Sequence, residues 1–154
     1  MMTVGSRSLS SNGCALLFGD MGTGKTLVSF LLAFEKKSDK PVLFVCTISL
    51  VGNVENEIKK FFKDIRTVIV TSESDPDTIG KDVDVVITNR ECVKKRWMSD
   101  FEWGPVIIDE AHDLRNPKTQ RYKSFLKLKS SHRILLTGTP VNNFSHEILS
   151  LIHI

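Results

Sequence analysis

The 154-residue sequence predicts an α/β protein, a doubly wound, mostly parallel sheet with helices on both faces. Three observations predict it. Short apolar runs rich in β-branched residues recur along the chain and read as strands buried on both sides. Segments of helical periodicity fall between several of them, and a glycine-rich turn joins the first such run to the first such segment. The composition, 41% hydrophobic and 25% charged, is that of an ordinary globular domain, and the length suits one domain with a substantial core.

Taken in order, Cys14–Phe18 is the first expected strand, and the glycine turn Gly19–Thr26 follows it. Thr26–Phe34 has the length and content of a buried helix. Val42–Cys46 is the second strand. Asn53–Phe62 is the clearest amphipathic helix, with Val54, Ile58, Phe61 and Phe62 on one stripe, acids expected in its first turn and lysines in its last. Thr67–Val70 is a third strand, and Thr71–Lys81, polar and holding Pro76 and Gly80, is a surface loop. Val83–Ile87, Val106–Ile108 and Ile134–Leu136 complete the strands, with helices expected between strands and a last one beginning near Phe144. The pattern contains no internal repeat and no linker.

The turn reads Gly19-Asp20-Met21-Gly22-Thr23-Gly24-Lys25-Thr26 and fits Gly-x-x-x-x-Gly-Lys-Thr, which average composition would produce by chance in about one chain of this length in a few hundred. Strand, glycine loop and helix form the context that this pattern requires. Backbone N–H groups must close around phosphate oxygens, so the loop needs small residues, and the helix N-terminus adds its positive dipole end. Gly22 and Gly24 are the expected cradle, with Lys25 reaching the β- and γ-phosphates and the Thr26 hydroxyl on Mg²⁺. The alternative is a glycine turn carrying a surface lysine.

Val106–Ile108 ends in Asp109-Glu110-Ala111-His112. Asp109 is the expected Mg²⁺ partner, and Glu110 the residue that orients and deprotonates the attacking water. Ligands of open α/β sheets bind beyond the carboxyl ends of strands, so both sites can meet on one nucleotide, and Lys25, Asp109 and Glu110 form the expected catalytic set for ATP. Without the loop, two acids after a strand would read as an ordinary helix N-terminus.

Four blocks together resemble the first motor lobe of superfamily-two helicases of the DEAH-box type, and most closely the Swi/Snf family of double-stranded-DNA translocases. They are Asp20–Thr26; Pro41–Leu50 with Asn53–Glu57; Asp109–Asn116; and Leu135–Asn143 with Glu147–Leu151. Asp84–Thr88 is a weaker echo, followed by Asn89-Arg90 where the family carries Thr-Tyr. Thr47 stands in place of a usual proline, and Val54 in place of a tryptophan. The resemblance implies a RecA-like P-loop NTPase lobe that uses ATP and Mg²⁺, with duplex DNA and a second RecA-like lobe as partners. It also implies that His112, Thr137, Gly138 and Thr139 couple nucleotide state to DNA. By this reading residues 1–154 are a single lobe cut short at both ends, lacking the adenine-recognising segment and the second lobe's arginine. Such an arginine is worth about 10³ to 10⁵ in rate, so the lobe alone is expected to hydrolyse ATP weakly or not at all.

Other chemistry finds little support. Cys14, Cys46 and Cys92 lack Cys-x-x-Cys spacing, and His146-Glu147 opens no zinc-binding pattern, so no metal beyond Mg²⁺ is expected and the thiols read as buried and free. The longest apolar run is bracketed by Lys25 and Glu35, and the N-terminus has no signal-peptide layout, so neither membrane nor secretion is expected and the location is cytoplasmic or nuclear. The net charge of +3 proves no partner. Seven basic residues from Arg115 to Arg133 with no acid among them, and Lys94-Lys95-Arg96, would suit phosphate tracking or merely a solvated helix face. Two other functions stay open: a non-catalytic nucleotide-binding or regulatory module, and a different superfamily-two enzyme such as a viral helicase or restriction motor. The Thr137-Gly138-Thr139-Pro140 block speaks against the latter, many of which carry Ser-Ala-Thr there.

Overall fold

The computed structural model describes residues 13–19, 22–36, 38–114 and 116–138. Asp20, Met21, Arg115, Thr139 and the helix expected near Phe144 lie outside the described residues. Six strands, β1 (Cys14–Phe18), β2 (Val42–Cys46), β3 (Thr67–Val70), β4 (Val85–Asn89), β5 (Glu102–Ile108) and β6 (Lys129–Thr137), form one sheet in the order β1-β6-β5-β2-β4-β3. Every neighbouring pair is parallel. All six carboxyl ends therefore share one edge, and the loops leaving them are brought together there.

Strand alternation divides the core into two layers. Phe44 and Cys46 of β2 face one side with Ile107, Ile134 and Leu136. Helices α1 (Lys25–Glu35) and α2 (Val51–Phe61) cover that side through Phe30, Ala33, Val54 and Ile58. Phe30 stacks on Phe44 at a centroid distance of 5.1 Å and on Phe34 at 5.9 Å, and Phe62 meets Phe34 edge-on. Leu43, Val45, Val106, Ile108 and Leu135 face the other side, where short α3 (Arg96–Asp100) contributes Met98 and α4 (Gln120–Lys127) contributes Tyr122 and Phe125. Helices on both faces of a parallel sheet are the doubly wound arrangement that the sequence predicts.

Several boundaries differ from expectation, each for a local reason. β5 begins at Glu102, earlier than expected, because its entry pairs with β6; on the β2 side, where the ladder starts only at Val106, Gly104 N–H donates to the Pro41 carbonyl at 3.0 Å beside a proline that has no N–H to give. β6 begins at polar Lys129, since its first half pairs only with the entry of β5 and needs no two-sided apolar pattern. β4 runs two residues later than expected, because Asp84 is used by the Arg66 turn: its carboxylate accepts from Arg66 N–H at 2.8 Å. No α-helix joins β3 to β4; the polar loop between them holds one 3₁₀ turn, Pro76–Thr78, capped by Asp75.

Two helix expectations also need correction. α2 starts at Val51, so Glu55 and Glu57 sit in its second turn, leaving the first without an acid, while Lys59 and Lys60 do close it. On its stripe Val54 and Ile58 are buried but Phe61 is half exposed under Lys60, because Phe62 takes the inward place. α1 is buried on one face only, with Leu31 exposed to solvent.

Candidate nucleotide site

The loop leaving β1 closes over its own first residue. A Cβ on Gly19 would sit 2.7 Å from the Thr23 hydroxyl, so a larger residue there would force the Thr23 side chain aside. Gly22 and Gly24 take left-handed φ values of 80° and 77°, which glycine adopts without steric cost, and a Cβ at either would meet open space. Gly24 is the N-cap of α1. It makes no side-chain cap bond, and the first turn carries no acid. Amides at the start of a helix have no intrahelical partner, so this end presents donors and a partial positive charge to the open space beside the two glycines.

Lys25 turns back over the loop and donates from Nζ to the Gly19 carbonyl. Thr26, in the first turn, offers its carbonyl to Ser29 Oγ at 2.7 Å. Gly19 N–H donates to the carbonyl of Thr137 at the end of β6, which ties the loop to the neighbouring strand.

At the end of β5, Asp109 donates from its backbone N–H to Val45 O at 2.9 Å, and its carboxylate accepts from Glu110 N–H at 3.0 Å. Burial, and after it the adjacent Glu110 charge, raise the Asp109 carboxyl above its ordinary pKa; Arg90 and Lys25 oppose the shift. Glu110 has φ 50° and is the one non-glycine residue in the left-handed region among the described residues. Such a conformation costs about 1–2 kcal/mol in a side-chain-bearing residue. Glu110 Oε2 lies 3.0 Å from His112 Nδ1.

Gly138, just past β6, joins the two halves. A Cβ placed there would be 3.8 Å from both Glu110 Oε1 and the carbonyl of Gly19. In strand order β6 lies between β1 and β5, so Gly138 separates the lysine-bearing loop from the acid pair by one residue's width. Gly19, Gly22, Thr23, Gly24, Lys25, Thr26, Asp109, Glu110, His112, Thr137 and Gly138 thus come to one stretch of the carboxyl edge. Thr137 is fully buried, and Asp20, Met21 and Thr139 are outside the described residues.

A family sequence profile described as "SNF2-related domain" matches residues 4–154. The chain belongs to the SNF2-related domain family. "ATP-dependent DNA helicase DDM1" of Arabidopsis thaliana is 32% identical to it, the match covering 95% of this chain and 21% of that protein. "ISWI chromatin-remodeling complex ATPase ISW1" of Saccharomyces cerevisiae is also 32% identical, over 95% of this chain and 14% of its own length. The chain therefore spans about a fifth or less of the curated relatives it matches. Among solved structures, "Sulfolobus solfataricus SWI2/SNF2 ATPase core in complex with dsDNA" superposes with a TM-score of 0.79 at 31% identity, covering 92% of this chain and 31% of that one. This SNF2-related domain thus has the RecA-like fold of that ATPase core.

A groove of about 440 Å³ lies farther along the same edge, lined by Thr47, Ile48, Asn89, Arg90, Lys95 and Arg121 among others. The larger groove, of about 920 Å³, is at the opposite, amino edge, beside Lys40, Arg66 and Asp84, away from the nucleotide residues. The basic stretch does not form one free face. Arg133 is half-buried and donates to the carbonyls of Leu126 and Leu128 at the end of α4, and Arg121 pairs with Glu91 at 3.1 Å. Lys118, Lys123, Lys127 and Lys129 are exposed. Sequence reading gave Arg90 no role; the available signal was a charged residue directly after a buried strand at the carboxyl edge.

Cys14, Cys46 and Cys92 are buried and free, and burial pushes Cys14 up to about 11 and Cys46 up to about 12. Among the described residues no cluster of three or more His, Cys, Asp or Glu side chains could hold a metal ion, and no helix is long and apolar enough to cross a membrane.

Proposed function

We propose that this SNF2-related domain is the ATP-binding lobe of a DNA-dependent ATPase that moves on duplex DNA when a second RecA-like lobe closes over it. The observation that carries the reading is the meeting of the Lys25 loop and the Asp109-Glu110 pair at Gly138. The residues present fit a triphosphate: two left-handed glycines beside open space and an uncapped helix N-terminus suit phosphate oxygens. They also fit a hard divalent cation, since the Thr26 hydroxyl and the Asp109 carboxylate are oxygen donors of the kind Mg²⁺ takes. Bound Mg²⁺ would offset charge on the β- and γ-phosphates.

Within that frame, Gly19 through Gly24 wrap the phosphates and Lys25 leaves the Gly19 carbonyl to neutralise them. Glu110, aimed toward the loop, orients a water and takes its proton. His112, Thr137, Gly138 and Thr139 connect these groups to the DNA-facing side. The basic groove past β2 and β4 is the part of the edge suited to a phosphate backbone, and the superposition with an ATPase core solved with double-stranded DNA supports that assignment. A nuclear or cytoplasmic location follows from a DNA substrate.

The test is to titrate the chain with Mg-ATP and then measure hydrolysis with a second-lobe protein supplied, with and without duplex DNA. Saturable Mg-ATP binding and DNA-stimulated turnover are expected. Glu110→Gln should bind Mg-ATP within a few-fold of wild type and lose about 10²-fold or more of turnover. Retained turnover in that variant would remove Glu110 as the base, and binding without any DNA-stimulated turnover would leave a nucleotide-binding regulatory module.

A further inference from the structure

Arg90 follows the last residue of β4, and β4 is two places from β5 in the sheet, with β2 between them. Two inter-strand spacings are about 9.5 Å. The Arg90 side chain crosses that gap over the end of β2 and donates from Nη2 to the Asp109 carbonyl at 3.0 Å and to the Glu110 carbonyl at 3.5 Å. Those two carbonyls belong to the peptide planes immediately before and after the Glu110 α-carbon. The angle between those planes is set by the φ and ψ of Glu110, and φ is 50°, in the left-handed region. One guanidinium nitrogen is thus shared between the carbonyls on both sides of the strained residue, at the end of a side chain longer than that of lysine.

The geometry points to Arg90 as a positioning residue that holds the Glu110 backbone left-handed and so aims its carboxylate at the Gly138 side of the cleft. This rests on the reading of Glu110 as the water-orienting acid, but the backbone effect is independent of it. Arg90 also lines the basic groove, so the group that fixes Glu110 is within reach of an anion lying there.

The experiment uses the full chain, free of nucleotide, as wild type, Arg90→Gln and Arg90→Lys. Backbone NMR reads the three-bond HN–Hα coupling of Glu110, which depends on φ, together with the amide shifts of Glu110, Ala111 and Gly138. In Arg90→Gln the coupling is expected to change and the three amides to move, while amides of β1 and α1 stay in place; Arg90→Lys should fall between. An unchanged Glu110 coupling in folded Arg90→Gln overturns the proposal, and if that variant does not fold, an unchanged coupling in Arg90→Lys does the same. Steady-state hydrolysis of Mg-ATP, with a second-lobe protein and duplex DNA supplied, adds a second arm. Displacement of the acid is expected to lower kcat on the order of 10²-fold with KM within about twofold of wild type, whereas a raised KM at unchanged kcat would overturn the proposal. Should wild type bind no Mg-ATP at all, the nucleotide assignment fails, and the coupling measurement still decides the role of Arg90.

Discussion

Lys25→Ala separates nucleotide binding from folding in one variant. At about 4 Å and an effective dielectric near 20, an ammonium and a phosphate oxygen attract by about 4 kcal/mol. Part of that gain is offset, because Lys25 must give up its bond to the Gly19 carbonyl, a hydrogen bond worth about 1 kcal/mol, and some of its attraction to Asp109. The net loss on truncation is therefore about 2–3 kcal/mol, or about 30- to 150-fold in Kd. The fold should change little: Lys25 is the first residue of α1, where alanine is the best helix former. Calorimetric titration with Mg-ATP at low and at moderate salt measures the effect, alongside Tm for each protein. The ratio between variant and wild type should narrow as salt rises, because Lys25 is only partly shielded from solvent. An affinity within threefold of wild type in a folded variant would refute the placement of this lysine on the phosphates.

Three further outcomes follow from the same geometry. Asp109 has a folded-state pKa raised by burial, so its ionised form costs stability once pH exceeds the ordinary carboxylate value; below that value both states are protonated and the cost disappears. Asp109→Asn should therefore raise the Tm of the nucleotide-free chain at pH 7, each kcal/mol relieved reading as about 2–4 °C, with the gain fading as the pH of the melts is lowered toward 4. Gly104→Ala would place a Cβ 2.7 Å from the backbone carbonyl of Lys40, and overpacking against backbone of this kind costs about 1–3 kcal/mol; a variant melting within one degree of wild type would contradict that contact. Cys14 and Cys46, buried and with pKa values of about 11 and 12, should react with a thiol-specific reagent at pH 8 only as fast as the chain unfolds, which time-resolved labelling in increasing urea would measure.

The strands that sequence patterning placed well, Cys14–Phe18, Val42–Cys46 and Thr67–Val70, agree with the structure to the residue. Their apolar runs are bounded by polar or glycine-containing segments, so pattern and pairing end together. β5 and β6 were legible only in their second halves, where both faces are buried. Their first halves pair with each other through Trp103, Pro105, Ser130 and His132, a combination without the period or composition of a buried strand. The basic stretch from Arg115 to Arg133 was legible as charge but not as placement: Arg133 serves a helix end and Arg121 an ion pair, while the neighbouring lysines remain exposed.

The order of amino acids supplied the residue types needed for phosphate chemistry, and their local geometry with them where glycine at positions 22 and 24 and the ensuing helix leave few conformations open. The meeting of Gly19 and Lys25 with Asp109 and Glu110, by contrast, came from tertiary pairing. That meeting depends on β6 entering the sheet between β1 and β5, a choice of strand order set by non-local pairing and by the two buried layers, which no short-range pattern encodes. The crossing of Arg90 to the carbonyls of Asp109 and Glu110 has the same origin, since residues about 20 apart in sequence become neighbours only once β2 has been laid between their strands.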